Sequence, residues 1–180
     1  MPRNGTETEF VQKAHQLGFS KLILLYKTTN AKKVTPKQIE ELKKNEIEVK
    51  FGVISEKNIN LEGFDMVIGL GTKINAVFGG LTHVLNNEID EEKDFIHQRR
   101  GGLNHVVLAE FSSKDVGVLS GLDQLRKKTQ KEQGIVLGRM MQNAKLCMKK
   151  GISYNVVSLA KETIEMKNAK DLNIFSQQLK

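Results

Sequence analysis

The chain has 180 residues, 39% of them apolar, with 15 glycines, 2 prolines and a single cysteine. That length fits one α/β domain over residues 1–180 with a core of useful size, and the composition excludes collagen-like, disordered and disulfide-scaffolded chains. A formal net charge of +7, from 28 Lys+Arg against 21 Asp+Glu, makes polyanions natural partners without naming one.

The elements alternate between helical and extended patterns. Thr6 and Glu9 stand at capping-box spacing ahead of Phe10, Val11, Ala14 and Leu17, an apolar face with helical period that stops at Gly18. The nearly continuous apolar run Lys21–Lys27 predicts a strand buried on both faces. Thr35-Pro36 reads as an N-cap and first helical residue, with Gln38 completing a second capping box and Ile39 and Leu42 facing inward. Ile47–Ile54 alternates as a strand does, Phe64–Gly71 predicts a third strand, and Lys73–Phe78 a short helical stretch. Leu81–Asn86 gives a fourth strand, and the acidic run Asn87–Asp94 reads as a solvated connector. A helix is expected from Leu103 to Phe111, a fifth strand at Val116–Gly121 and, after a basic linker, a helix from Ile135 to Lys149. Tyr154–Ala160 as a sixth strand and Ala169–Leu179 as a last helix close the series. Strands separated by helices imply right-handed crossovers and a mainly parallel sheet. Six such strands fit either an open doubly wound sheet or a reduced, distorted barrel, since a complete eight-fold barrel needs about 250 residues.

Enzymatic chemistry finds little support. The four histidines, His15, His83, His97 and His105, include neither a His-x-His nor a His-x-x-x-His pair, so no metal site is predicted. His83, on a buried-looking strand, reads most simply as a hydrogen-bonded core residue. Cys147 sits among apolar neighbours and reads as packing rather than a nucleophile. The glycines from Gly69 to Gly80 follow a strand, but Ile74 stands where a dinucleotide pattern wants glycine, which leaves a strand-ending turn. No catalytic residue is assigned.

The basic features say more. Leu122–Lys150 carries Arg126, Lys127, Lys128, Lys131, Arg139, Lys145, Lys149 and Lys150 against only Asp123 and Glu132. A helical wheel of Ile135–Lys149 puts Leu137, Met140, Met141, Ala144, Cys147 and Met148 on one face. Arg139, Gln142, Asn143, Lys145 and Lys149 fall on the other, with Leu146 outward among the bases as a candidate protein contact. The polar face is either solvated or a nucleic-acid contact. Arg99-Arg100-Gly101-Gly102 precedes a helix start, where glycines permit a sharp turn and first-turn amides favour an anion. Two guanidinium groups there suit phosphate oxygens. They equally suit ion pairs with Asp90, Glu91, Glu92 or Asp94 just upstream. Local spacing leaves both readings open. With no Trp and 2 Tyr, a base-stacking platform is not expected, so any RNA contact should address backbone and shape.

His97–Val106, then Gly138–Ala160 and Met166–Leu179, resemble protein component 3 of archaeal ribonuclease P, the relative of the thirty-kilodalton protein subunit of the eukaryotic enzyme. Phe10–Tyr26 is of the same type, so the likeness spans nearly the whole chain. The resemblance implies a distorted (β/α) barrel of the polymerase-and-histidinol-phosphatase type, with about six to seven mainly parallel strands. It implies a subunit of the ribonucleoprotein that removes the 5′ leader of precursor tRNA, with catalysis and Mg2+ residing in the RNA subunit and no cofactor bound by this chain. Expected partners are the ribonuclease P RNA and the small component 2 protein, with precursor tRNA touched indirectly, in the cytoplasm and away from membranes. The turn Gly101, Gly102, Asn104 and His105 is the shared signature, with the last two fixing the helix start. Arg99 and Arg100 are assigned to phosphate contacts, and Arg126, Lys127, Lys128, Arg139, Lys145, Lys149 and Lys150 to a secondary basic surface. Met1–Gly5 is too short to supply the family's first strand, so an edge is expected to be left open or covered by the partner. A metal-dependent phosphoesterase of the same superfamily is the competing reading, and a scaffold that binds only protein is a third.

Overall fold

A computed structural model describes residues 6–31, 36–43, 47–56, 63–71, 79–89, 93–94 and 99–180. Its strands are β1 (Lys21–Lys27), β2 (Glu48–Ile54), β3 (Met66–Leu70), β4 (Leu81–Leu85), β5 (Gly117–Gly121) and β6 (Tyr154–Val157). Each pairs in parallel with the next, in the order β1-β2-β3-β4-β5-β6. A doubly wound sheet reverses its order at a switch point. Here the order never reverses, so the crossovers wind one way and the sheet curls into a half-barrel ringed by helices. The choice that sequence rhythm left open is thereby made: the fold is a distorted α/β barrel.

The two-residue period of the strands sorts side chains into layers. Leu25, Ile68, Leu85 and Leu119 form the apolar lining of the curl. The alternate residues Leu24, Tyr26, Phe51 and Val53 meet Phe10, Val11 and Ala14 of α1 (Glu7–Gln16). Val84, Val118, Tyr154 and Val156 meet helices on the other flank, chiefly α4 (His105–Ser113), α6 (Gln130–Lys149) and α7 (Ala169–Gln178). Gly52 faces the lining because a Cβ there would press on Leu25. The edge strands β1 and β6 both border an apolar groove of about 420 Å³, so the barrel is open between them. For that reason Leu22 and Ile23 are only half-buried, where a strand buried on both faces was expected.

Short helices α2 (Thr28–Ala31), α3 (Pro36–Lys43) and α5 (Leu122–Arg126) and a 3-10 turn at Thr163–Glu165 complete the described elements. Thr6 precedes α1 but makes no side-chain cap bond, so the first capping box is not formed. Thr35 and Lys73–Phe78 lie outside the described residues, as does the side chain of Gln38. The basic linker before the long helix is partly helical, with α5 and the first turns of α6 on either side of a break at Lys127–Thr129. A capping box formed by Thr129 and Glu132 starts α6 at Gln130, five residues earlier than the apolar pattern suggested.

Candidate nucleic-acid interface

The long helix α6 buries Val136, Arg139, Met140, Asn143, Ala144 and Cys147. The phase is therefore rotated from the wheel: Met141 and Met148 are exposed at 41% and 56%, while Arg139 and Asn143 are 2% and 0% exposed. Burial of such groups needs partners, and distant residues provide them. Arg139 Nε donates to Asp94 Oδ1 at 2.7 Å, and its Nη1 donates to the Glu88 carbonyl at 3.3 Å. Asn143 Nδ2 donates to the Gly101 carbonyl at 2.7 Å. Arg139 is thus withdrawn from the proposed basic surface; its charge is used inside the protein.

Where it is described, the acidic connector departs from a solvated run at its start. Glu88 is 1% exposed, and Asn87 beside it 4%. Asp94 also accepts the Arg100 amide at 2.8 Å. Its partial burial raises the pKa, but that amide and the Arg139 guanidinium outweigh the effect and hold the carboxyl below its ordinary range. Asp90, Glu91 and Glu92, the other acids considered for the arginines, lie outside the described residues, as does His97.

The turn before α4 is fixed by close approach. Gly102 has φ +77°, and a Cβ at either glycine would strike Asn143 or the Asn87 carbonyl. Asn104 caps α4, its Oδ1 accepting from Val106 N at 2.9 Å and Val107 N at 3.0 Å. Those two first-turn amides are already taken, so this helix start is not the free anion cradle that spacing suggested. His105 follows as an exposed first helical residue.

What the turn delivers is Arg99. Its guanidinium lies across α6 at Gly138, where any Cβ would occupy the same space. Gln142 Nε2 donates to the Arg99 carbonyl at 3.1 Å and ties the turn to the helix. Arg99, Met141, Lys145, Leu146 and Lys149 line a shallow groove of about 340 Å³ along the outer face of α6. At 1.5 Å rise per residue, Gly138 to Lys149 spans about 16 Å. Lys145 and Lys149 are exposed and make no ion pair with the described residues. Leu146 is half-buried and packs against the core, rather than standing outward. Lys150 is exposed just beyond the helix. Arg100 is half-buried.

The other basic residues lie near the opposite end of α6, whose length is about 28 Å. There Lys127 pairs with Asp123 at 3.1 Å. Arg126 and Lys127 act on Glu165 and Lys128 acts on Glu132, helping the bonds these carboxyls receive to hold both below the ordinary range. Of the nine basic residues singled out in the sequence, Arg139 is buried, Arg126, Lys127 and Lys128 stand near acids, Arg99, Lys145 and Lys149 form a strip, and Arg100 and Lys150 belong to none of these groups.

Among the described residues no cluster of three or more His, Cys, Asp or Glu is placed to hold a metal. His83 is half-buried with Nδ1 lacking a hydrogen bond among the described residues, and burial draws its pKa down; the hydrogen-bonded histidine expected there is not formed at that nitrogen. Cys147 is fully buried, and its thiol is pushed up to about 12 by burial and then by Glu88, which keeps it protonated and inert. No helix among the described residues is long and apolar enough to cross a membrane.

No protein-family model matches the chain, and no curated protein matches it. Its structure is similar to a chain in the "cryo-EM structure of archaeal Ribonuclease P with mature tRNA", with a TM-score of 0.73 and 17% sequence identity. The two chains share a fold. The match covers 99% of this chain and 80% of the other.

Proposed function

We propose that this chain is a protein subunit of ribonuclease P that contacts RNA through the Arg99–Lys145–Lys149 strip and leaves bond cleavage to the RNA. The observation that carries the proposal is the strip itself: cations in register along one helix face, at one-turn spacing between Lys145 and Lys149, beside a guanidinium held over a glycine. Regularly spaced charges without aromatic platforms suit a phosphodiester backbone rather than base edges. The fold shared with a chain of an archaeal ribonuclease P assembled with tRNA supports the same reading. Within it, the catalytic Mg2+ belongs to the RNA, component 2 is the protein partner, and the cytoplasm is the compartment.

Reconstitution tests this directly. Precursor-tRNA cleavage by the RNA and the other subunits should rise when this chain is added. Arg99→Ala with Arg100→Ala, in a protein that still melts cooperatively, should reduce that gain and make RNA binding less salt-dependent. Cleavage indifferent to the chain would remove the proposal.

A further inference from the structure

The sheet ends in two edges that border one groove. Glu48 N donates to the Ser20 carbonyl at 3.0 Å, and Val118 N donates to the Ser153 carbonyl at 2.8 Å. In a strand, the N–H and C=O of one residue point to the same side and those of the next residue to the other. Counting from Ser20, the even-numbered residues of β1 bond to β2; counting from Ser153, the odd-numbered residues of β6 bond to β5. The backbone groups of Ile23 and Leu25 on one edge, and of Val156 on the other, are thereby left for the groove that all three residues line. On that side none of them has a backbone hydrogen-bond partner among the described residues.

The groove is apolar on both sides of the sheet. Leu25, Ile68 and Leu119 belong to the lining of the curl, whereas Phe10, Met166 and Leu172 belong to the layer between strands and helices. Together, the two edges and the two apolar layers select the occupant. A hydrocarbon ligand would fill the space but leave both rows of amides and carbonyls buried without partners. A helix satisfies its own backbone, is about 10–12 Å across and offers the edges no bonds. A second copy of this chain could meet one edge with one of its own, but the sheet behind that strand keeps it from entering between two. An extended segment presents donors and acceptors to both sides, at about 4.8 Å from each neighbour, and sends alternate side chains to opposite faces.

We propose that an extended segment of a protein partner, apolar on both faces, enters between β1 and β6 as an added strand that bridges the two edges. Strand addition of this kind takes affinity from main-chain bonds and specificity from the alternate side chains. The edge is a second surface, separate from the strip on α6, and the choice of the other ribonuclease P proteins as source of the segment rests on the function proposed above.

Amide hydrogen exchange of the full chain, alone and mixed with the other ribonuclease P protein subunits without RNA, tests this. In the free chain, the Ile23, Leu25 and Val156 amides should exchange faster than those of Leu24 and Asn155, which bond to β2 and β5. In the mixture both edges should slow together, by about tenfold or more. Ile23→Pro removes a donor that points away from β2, where an edge strand tolerates proline. It should weaken association by at least about tenfold, because the incoming carbonyl is left without a donor. Ile23→Val keeps the amide and should lose no more than about fourfold, the worth of one methylene. If Ile23→Pro does not melt cooperatively, the wild-type exchange decides alone. Association that leaves either edge exchanging as in the free chain would overturn the proposal, as would a folded Ile23→Pro that binds like Ile23→Val. So would edges already protected in the free chain, by a second copy in a dimer or by another part of the same molecule. Subunits that do not associate with the chain would overturn it too, while precursor-tRNA cleavage still decides the function proposed above.

Discussion

Two groups of cations lie toward opposite ends of the same helix and differ in what surrounds them. At the start of α6, Lys127 faces Asp123, while Glu165 and Glu132 stand close to Arg126, Lys127 and Lys128. Along its C-terminal half, Lys145 and Lys149 make no ion pair with the described residues, and Arg99, whose charge also acts on Asp94, is laid alongside. Equal formal charge thus produces unequal fields. A cation already paired loses its internal partner when it meets a phosphate, whereas an unmatched one gains the whole contact. Basic residues counted along a sequence do not predict an interface until their counter-charges are placed.

The largest effect should come from the cation that belongs to neither group. Arg139→Ala removes the partner of Asp94 and the support of the Glu88 carbonyl, so the protein should lose about 3–5 kcal/mol of stability in denaturant titration. A loss below about 1 kcal/mol would mean that Arg139 is solvated after all. Next comes the strip. Arg99→Ala, Lys145→Ala and Lys149→Ala combined should weaken binding to the ribonuclease P RNA roughly a hundredfold, at about 1 kcal/mol per contact. The matched group gives the smaller change: Arg126→Ala, Lys127→Ala and Lys128→Ala combined should cost less than about tenfold, because cations already standing near acids gain less from a phosphate. Equal losses for the two triples would erase the distinction between the regions. Gly138→Ala is the subtlest variant. It should raise helix stability by up to about 1 kcal/mol while displacing the Arg99 guanidinium, and so weaken binding severalfold in a protein no less stable.

The fold was legible where local pattern suffices. Runs such as Lys21–Lys27 and Val116–Gly121 have no helical period and became strands, and the last helix starts where Ala169 suggested, capped by Asn168. The phase of α6 was not legible. Its methionines look like a core stripe, and Arg139 and Asn143 look like surface. They are buried because Asp94, Glu88 and Gly101, more than 40 positions away in sequence, supply their hydrogen bonds. A long-range polar partner leaves no periodic trace. The Thr129–Glu132 capping box, by contrast, was visible in the sequence and would have moved the helix start out of the supposed linker.

The arginines of the turn were legible as a pair but not in their separate environments. Arg99 crosses the helix at a position that only glycine leaves open, a relation between residues 39 apart in the sequence. Arg100 contributes its amide to Asp94, so part of its role in the turn is backbone rather than charge.

The most direct measurement is the salt dependence of ribonuclease P RNA binding by the wild type and by the Arg99→Ala, Lys145→Ala, Lys149→Ala triple. Each phosphate contact contributes roughly 0.7–0.9 to the slope of log K against log salt. The triple should therefore be shallower by about 2–3, with melting unchanged. A folded triple variant with the wild-type slope would contradict the account.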